Sequence, residues 1–296
     1  MYLKPYALFV ICLFLVSDVF AQQSWVACGG DKVMMLDSEK STVEKPVVTW
    51  SWDVKEALGI PAAYQKLLVP LDECKPVGQH RLLITSSGGG VVLLEKSTKK
   101  VLFYANAPMA HSAALLPRNR VVVALSTHKK GNSIELYDLN HAEKVLFKDS
   151  LYSGHGVVWN AKQERLYALG FDELRAYELR HWETQKPVLQ LVKSWKLPDE
   201  GGHDLSMIDD NELLVSTHHN VFVFDSNKGG FRVFDLLAGR ENIKSANYDK
   251  QRGSLVYTQA EESWWTHHIY QKNPDKTVTI PDLKLYKVRV IDNKSR

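Results

Sequence analysis

The chain has 296 residues, and its 37 lysines and arginines nearly balance its 34 aspartates and glutamates, which leaves a formal net charge of +3 at pH 7. Because the basic residues are spread along the chain, without a basic stripe that interleaves aromatic residues, we expect no nucleic-acid partner. The length exceeds the ~150 residues of a usual domain, but single all-β domains of this size are common.

The N-terminus carries the pattern of a secretory signal peptide. A positive region over residues 1–4 precedes an apolar run over residues 7–20, and Val19-Phe20-Ala21 supplies a small-residue cleavage signal. We expect a signal peptide over residues 1–21, a mature domain over residues 22–296, and a periplasmic or secreted product. The apolar run is shorter than the about 20 residues that a membrane span needs, so we expect no membrane span.

The cysteines leave two alternatives open. Cys12 lies inside the apolar run and lacks the small residues that normally precede a lipidated cysteine, which argues against a lipid anchor. The mature domain keeps Cys28 and Cys74. They form either one disulfide or two buried thiols that behave as small hydrophobic side chains.

Strand-like segments follow in groups of four, separated by turn residues. The first group lacks an inner strand, and an insertion with helical character over residues 54–71 is broken by Pro61 and Pro70. Two further inner strands open at Lys75 and Lys244. The other predicted strands occupy residues 25–29, 32–37, 47–52, 80–86, 91–95, 101–105, 111–116, 120–126, 133–139, 144–148, 155–160, 165–170, 174–179, 188–197, 203–208, 212–217, 221–225, 231–236, 255–259 and 264–270.

A histidine returns at the start of three successive inner strands. His111, His155 and His203 are 44 and 48 residues apart, and each follows a small residue and opens an apolar run. Periods of this size in strand-rich sequence indicate a β-propeller, a disc of four-stranded blades around a central channel. We therefore expect an all-β fold with one propeller domain.

The two ends of the chain complement each other. Residues 287–292 form a surplus strand that aligns without gaps to residues 244–249, so this strand is a candidate for the missing inner strand of the first group. Pairing the two ends closes the ring and removes exposed sheet edges. Closure gives six blades of four antiparallel strands, with five or seven blades as the alternatives.

One face of the predicted disc collects chemistry-bearing side chains. The first residue of each inner strand points towards the channel mouth, at the face that also carries the turns between second and third strands. On this alignment the inner-strand positions are Lys75, His111, His155, His203, Lys244 and Lys287. The turns add Asp31, Ser86-Ser87-Gly88, Thr127-His128, Phe171-Asp172, His218-His219 and Glu261-Glu262-Ser263-Trp264-Trp265.

This mixture of imidazoles and lysines predicts a site for an anion, a metal ion or both. Three histidines from different strands can hold one divalent metal ion, or one of them can act as a general base near neutral pH. The catalytic and metal-binding candidates are His111, His155 and His203. Cations pair with carboxylates, and aromatic faces pack on sugar rings. The substrate-binding candidates are Lys75, Lys244, Asp204, Trp264 and Trp265.

A structural role for the histidines is the alternative. The Gly-His pairs, with Tyr137-Asp138 and Phe224-Asp225 at the ends of third strands, resemble the repeat signature of WD40 propellers, whose histidine belongs to a structural hydrogen-bond network. The chain departs from that signature because its second turns lack a regular aspartate and its third-strand pair lacks tryptophan.

A closer resemblance covers nearly the whole mature domain. Its motifs are Asp72-Glu73-Cys74-Lys75-Pro76, Ile84-Thr85-Ser86-Ser87-Gly88-Gly89, Ala110-His111-Ser112-Ala113, His155-Gly156-Val157-Val158-Trp159, Gly202-His203-Asp204-Leu205 and Glu262-Ser263-Trp264-Trp265. Together they resemble an uncharacterised family of exported bacterial six-bladed propellers, which implies the fold and an origin in polysaccharide-using bacteria but no reaction. The layout is also similar to that of propeller polysaccharide lyases such as the oligogalacturonate lyases, without a shared motif.

The sequence favours a propeller that binds or acts on an acidic or oxidised carbohydrate at the channel mouth. For an enzyme, β-elimination beside a uronate suits the residues, because a lysine or a histidine-bound metal ion neutralises the carboxylate while a histidine takes the proton. Hydrolysis has less support, because its carboxylate pair would have to be Asp204 with Glu261 or Glu262. The alternative is a non-catalytic binding or scaffold propeller of the bacterial envelope. In both cases we expect a monomer.

Overall fold

The computed structural model describes residues 23–292, and within them 24 strands form six four-stranded antiparallel sheets. The sheets stand around a central channel as the blades of a β-propeller, which confirms the predicted fold class and blade number. The predicted signal peptide lies outside the described residues. No helix in the described part of the chain is long and apolar enough to cross a membrane.

The first three blades contain the strands β1 (Gln23–Gly29), β2 (Lys32–Asp37), β3 (Val48–Asp53), β4 (Leu71–Val77), β5 (Arg81–Ser86), β6 (Gly90–Glu95), β7 (Val101–Asn106), β8 (Ala110–Leu116), β9 (Arg120–Leu125), β10 (Ser133–Asp138) and β11 (His141–Ser150). The remaining strands are β12 (Gly156–Asn160), β13 (Arg165–Leu169), β14 (Glu173–Arg180), β15 (Val188–Lys196), β16 (Asp204–Met207), β17 (Glu212–Ser216), β18 (Val221–Asp225), β19 (Gly230–Val233), β20 (Ile243–Asp249), β21 (Ser254–Gln259), β22 (His268–Lys272), β23 (Lys276–Thr279) and β24 (Leu285–Asp292).

Blade 1 is closed by the two ends of the described chain. Its sheet order is β24-β1-β2-β3, so the C-terminal strand supplies the inner strand that the N-terminal group lacks. The register places Val290 opposite Trp25 and Lys287 opposite Cys28. The predicted closure is therefore confirmed. The inner strands of blades 2 to 6 are β4, β8, β12, β16 and β20, and each contacts the inner strands beside it around the ring.

The strand pattern follows from how the blades pack. Second and third strands lie between neighbouring blades, so they read as continuous apolar runs. The strand β9 is an example, since all six of its residues are buried. Outermost strands border solvent on one side, and β11 is correspondingly mostly exposed.

Short helical segments occupy two connections. The insertion between blades 1 and 2 contains the helix α1 (Ala62–Gln65) and two 3₁₀ turns, Val54–Glu56 and Lys66–Leu68, in agreement with its predicted helical character. A third 3₁₀ turn, Asp235–Leu237, follows β19.

One predicted strand is wrong. The sequence predicts a strand over residues 264–270, but β22 begins at His268. A tight turn comes first, in which Glu262 pairs with Trp265 and Ser263 has a φ of 58°. Adjacent aromatic side chains favour a strand in the sequence pattern, and the turn overrides that preference.

The two cysteines of the mature domain are free thiols. Cys28 in β1 and Cys74 in β4 are both fully buried. Burial raises the pKa of the Cys28 thiol well above its usual value, and the adjacent Cys74 thiol raises it further. The structure therefore agrees with the second of the two alternatives, a pair of buried thiols in the core between blades 1 and 2.

Candidate functional site

Near the start of each inner strand lies a residue that has no opposite partner on the second strand of its blade. In four blades this residue sits at a β-bulge, and in blades 4 and 5 it directly precedes the first paired residue. Such irregularities re-aim a side chain. We call the six residues the mouth ring: Asp72, His111, His155, His203, Lys244 and Tyr286.

The backbone before each histidine of the mouth ring passes through a left-handed conformation. Met109, Ser153 and Gly201 have φ values of 59°, 49° and 73°, and each lies two residues before its histidine. A positive φ is strained for a residue with a Cβ, and such strain is concentrated at functional sites. Glycine is required at position 201 because a Cβ there would lie 2.3 Å from the His218 ring.

Five of the six mouth-ring residues border a cavity of about 330 Å³, and the fully buried Lys244 lies behind them. The ring centroids of His111 and His155 are 4.4 Å apart, and those of His155 and His203 are 5.7 Å apart. The predicted convergence of the three histidines around one cavity is therefore confirmed, while their catalytic role stays a prediction. The cavity is lined by Asp72, Ser87, Met109, His111, Ser126, Thr127, Ser153, His155, Phe171, Gly201, Gly202, His203, His218, Trp264, Trp265 and Tyr286.

Two of the histidines are held by their own backbone. The Nδ1–H of His111 donates to the carbonyl oxygen of Met109 at 2.9 Å, and the Nδ1–H of His155 donates to that of Ser153 at 2.8 Å. Burial lowers the pKa of both imidazoles, and that of His155 well below its usual value. Both rings are therefore neutral at pH 7, with the proton on Nδ1 and a lone pair on Nε2.

His203 is held differently. Its Nε2 lies 2.9 Å from Nζ of Lys244, and its Nδ1 is buried without a hydrogen-bond partner in the described part of the protein. Burial, followed by the charge of Lys244, holds the pKa of His203 well below its usual value. Burial, followed by the charge of Lys287, lowers the pKa of Lys244 to about 7. Lys244 therefore titrates near neutral pH, and in its protonated form it donates to the neutral His203 ring.

The two tryptophans lie at the rim of the cavity. The Trp264 side chain is 53% exposed, and Nζ of Lys244 lies 4.8 Å from its ring centroid. Trp265 is half-buried and packs on Tyr286 with 5.4 Å between ring centroids. Both tryptophans line the cavity, so the turn places both of them at the site, whereas a strand would face them in opposite directions.

Three predicted mouth residues lie inside the channel instead. Lys287 is fully buried, and its Nζ contacts Asp204 Oδ1 at 2.9 Å. The gapless alignment is off by one residue, because the register makes Tyr286 the equivalent of Lys244. A slip of one residue exchanges the two faces of a strand. Lys75 lies three positions after Asp72, and its Nζ donates to Val157 O at 2.6 Å.

These buried residues form an ion network across the channel. Arg289 donates to Glu73 Oε2 and to Asp204 Oδ1, both at 2.6 Å. Arg289 and Lys287 lower the pKa of Glu73 to about 2 against the opposing effect of burial, and they lower the pKa of Asp204 in the same way. Burial lowers the pKa of Lys75 to about 8. Asp204, Lys75 and Lys287 are therefore parts of a plug beneath the cavity.

Sequence reasoning missed two residues of the site, Asp72 and Tyr286, and gave His218 no role beyond its place in a turn. Asp72 accepts a hydrogen bond from the Ser87 N–H, and burial raises the pKa of its carboxyl group. Tyr286 completes the ring, and burial raises the pKa of its phenol well above the usual value. His218 lies 4.8 Å from His203 between ring centroids. Correct alignment of the bulges identifies Asp72 and Tyr286, whereas His218 belongs to a turn that the sequence predicts on this face.

Only some of the turn residues predicted on this face line the cavity. Ser87, Thr127, Phe171 and His218 line the cavity, as predicted for their turns. The other turn candidates do not: Asp31, Ser86, Gly88, His128, Asp172, His219, Glu261, Glu262 and Ser263. The Glu261 carboxylate instead accepts hydrogen bonds from Thr266, His268 and Tyr270.

The geometry gives the metal prediction for His111, His155 and His203 no support. Among residues 23–292, no three histidine, cysteine, aspartate or glutamate side chains are arranged to hold a metal ion. The neutral imidazoles of the mouth ring suit hydrogen bonding and proton transfer.

Comparison with known proteins supports the fold. The chain is similar to a crystal structure of a protein of unknown function from Bacteroides caccae, with a TM-score of 0.59 and 13% sequence identity over 92% of this chain and 99% of that chain. No curated protein matches the chain. The model of a family of unknown function, DUF6528, matches residues 33–295, which is most of the sequence. The chain therefore belongs to the DUF6528 family.

Proposed function

We propose that the protein binds an acidic carbohydrate in the cavity at the channel mouth and cleaves it by β-elimination. The observation that carries this proposal is the mouth ring itself, in which the neutral imidazoles of His111 and His155 follow one another and lead to His203, which contacts Lys244 and lies 6.4 Å from the exposed Trp264 ring.

The cavity suits one or two sugar units. Ligand sites typically have volumes of about 300–1,000 Å³, and this cavity is at the small end of that range. Aromatic rings offer apolar faces to the C–H groups of a sugar, and Trp264, Trp265, Phe171 and Tyr286 supply such rings around the cavity. We place a sugar ring of the ligand in stacking contact with the exposed Trp264 side chain at the rim.

Positive charge near the cavity favours an acidic ligand. Lys244 lies directly behind His203 and Trp264, and Lys75, Lys287 and Arg289 lie in the plug. At most three of these four charges are balanced, by the plug carboxylates Glu73 and Asp204 and by Asp72 of the mouth ring. The remaining positive charge attracts a uronate carboxylate, and salt weakens this attraction.

A neutral imidazole is competent as the base for elimination. Its Nε2 takes the proton from the carbon beside the carboxylate, the C–O bond to the leaving sugar breaks, and a C=C double bond forms in the remaining ring. The leaving oxygen takes up a proton from solvent. His111 and His155 present bare Nε2 atoms for the first step. We do not propose hydrolysis, because Asp204 is held in the plug and Glu261 is held by three neighbours.

A panel of oligosaccharides tests the proposal. We expect trigalacturonate to bind more tightly than neutral galactobiose, with an affinity that falls as salt rises. Turnover would give products with a new near-ultraviolet absorbance from the double bond. Substitution His155→Gln should lower that rate at least about a hundredfold with little change in binding, whereas His128→Gln in a turn outside the cavity should change neither. Salt-sensitive binding without turnover would favour the non-catalytic alternative, and no binding of any acidic glycan would overturn the proposal.

A further inference from the structure

We infer that the mouth cavity selects a sugar ring with two free neighbouring hydroxyl groups, which donate hydrogen bonds to Nε2 of His111 and Nε2 of His155. This inference rests on the binding part of the proposed function and adds which face of the ligand is recognised, and by which atoms. Each Nε2 has one lone pair, so the hydroxyl pair describes the resting complex, and one hydroxyl group leaves its Nε2 before that nitrogen takes the proton in the elimination.

The first step is the tautomer of the two imidazoles. A carbonyl oxygen can only accept, so the contacts of His111 with Met109 O and of His155 with Ser153 O place the proton on Nδ1 in both rings. Neither Nε2 has a hydrogen-bond partner among residues 23–292, and both side chains line the cavity. The protein therefore presents two fixed acceptors that its own groups leave free.

The second step is their arrangement. The two rings lie side by side with centroids 4.4 Å apart and an interplanar angle of 53°. Asp72, the next member of the mouth ring, adds a third acceptor on the His111 side. Adjacent acceptors repel a carboxylate and attract donors. Adjacent hydroxyl groups of a sugar supply two donors at neighbouring carbons.

The third step is the contrast with His203. Its Nε2 is already engaged by Lys244, so it offers the ligand no equivalent lone pair. When Lys244 is protonated and donates to Nε2, the proton of His203 lies on Nδ1, which has no partner in the described structure. This Nδ1 is buried, so the His203 side of the cavity offers the ligand the nearby charge of Lys244 and no lone pair. The ligand is oriented with its hydroxyl pair towards the first two histidines.

Methyl ethers of the sugar test the inference. The probes are galacturonic acid, galactose, and the mono-O-methyl ethers of each at positions 2, 3 and 4, with Kd measured by NMR titration in the presence of a chelator. The recognised pair is either hydroxyl groups 2 and 3 or hydroxyl groups 3 and 4. We expect methylation of a member of that pair to weaken binding about tenfold, because each ether removes one donated hydrogen bond. The discrimination between ether and parent should vanish in His111→Phe or His155→Phe and persist in His128→Phe.

Imidazole nitrogen chemical shifts provide a second readout that needs no variant. In the wild-type protein labelled with ¹⁵N-histidine, His111 and His155 should show a protonated Nδ1 and a bare Nε2. Galacturonic acid should shift both Nε2 signals. An ether that binds more weakly than its parent sugar, such as the 3-O-methyl ether, should shift only one of them.

The outcomes separate the two proposals. If every ether binds as tightly as its parent, the hydroxyl-pair inference is wrong while carbohydrate binding stands. If only galactose and its ethers bind, the acidic preference is wrong and the ethers of galactose still decide the inference. If no sugar binds, both proposals are wrong.

Discussion

Three histidines occupy equivalent positions in the mouth ring, but their partners give them different proton chemistry. His111 and His155 are tied to backbone carbonyls, whereas His203 is tied to Lys244. The sequence repeat reveals the shared position of the three residues. It cannot reveal the difference, because the partner of His203 comes from the next blade.

The first prediction concerns Lys244 and pH. Its pKa is about 7 in the folded protein against an ordinary value of 10.5, so the folded state resists protonation that the unfolded chain accepts. Stability is therefore lost as pH falls from about 10 to about 7, and the cost is fully present below pH 7. As pH falls through this range, the free energy of unfolding of Lys244→Met should rise by about 2–4 kcal/mol relative to that of wild type, as measured by urea unfolding.

Exposed Lys129→Met serves as the matched control and should keep a constant difference from wild type across the same range. A constant difference for Lys244→Met would mean that the lysine keeps its ordinary proton affinity in the folded protein.

The second prediction separates binding from stability at the rim. Trp264 is 53% exposed, so Trp264→Ala should change the free energy of unfolding by less than about 1 kcal/mol. The same change removes the proposed stacking contact with the sugar and should weaken trigalacturonate binding at least about tenfold. Trp182, in a turn on the opposite face, provides the control Trp182→Ala, which should leave binding unchanged. Equal Kd values for wild type and Trp264→Ala would show that Trp264 does not contact the bound sugar.

At the scale of elements, the sequence predicts strands well and register poorly. Most strand bounds agree within one or two residues, because buried second and third strands are continuous apolar runs. The position of a bulge leaves no such signature. A slip of one residue was enough to place Lys287 at the mouth instead of Tyr286, and the ring member Asp72 was passed over for Lys75. The sequence does not predict the charged plug either, because its members come from several inner strands and meet only in the folded ring.

The third prediction concerns the closing strand. Deleting residues 285–296 removes β24, the inner strand of blade 1, together with Arg289 of the plug. The exposed edge of β1 then becomes a template for pairing with other chains. We expect loss of cooperative thermal unfolding and large aggregates in size-exclusion chromatography. A monomeric truncated protein with an unchanged melting temperature would contradict the closure.

At the scale of the whole molecule, the plug links distant parts of the ring. Arg289 in blade 1 contacts Glu73 in blade 2 and Asp204 in blade 5. All three side chains are almost fully buried, so each charge depends on the others for compensation. The plug therefore couples blades that do not touch through their sheets, and it forms the floor on which the cavity rests.

The last prediction follows from this coupling. The pKa of Glu73 falls from 4.5 to about 2 on folding, and that of Asp204 is lowered as well, so both carboxylates stabilise the fold above the pKa values of the unfolded chain. This stability is lost as pH falls from about 5 towards 2. Arg289→Met removes the shared partner of two buried carboxylates, leaves them with Lys287 and Lys75 alone, and should cost about 3–5 kcal/mol at neutral pH. Because protonation relieves that cost, the difference from wild type should shrink as pH falls, as measured by urea unfolding monitored with tryptophan fluorescence. Arg180→Met, which breaks an exposed pair with Glu178, should cost no more than about 1 kcal/mol at any pH. An Arg289→Met protein that matched this control would show that the blades hold together without the plug.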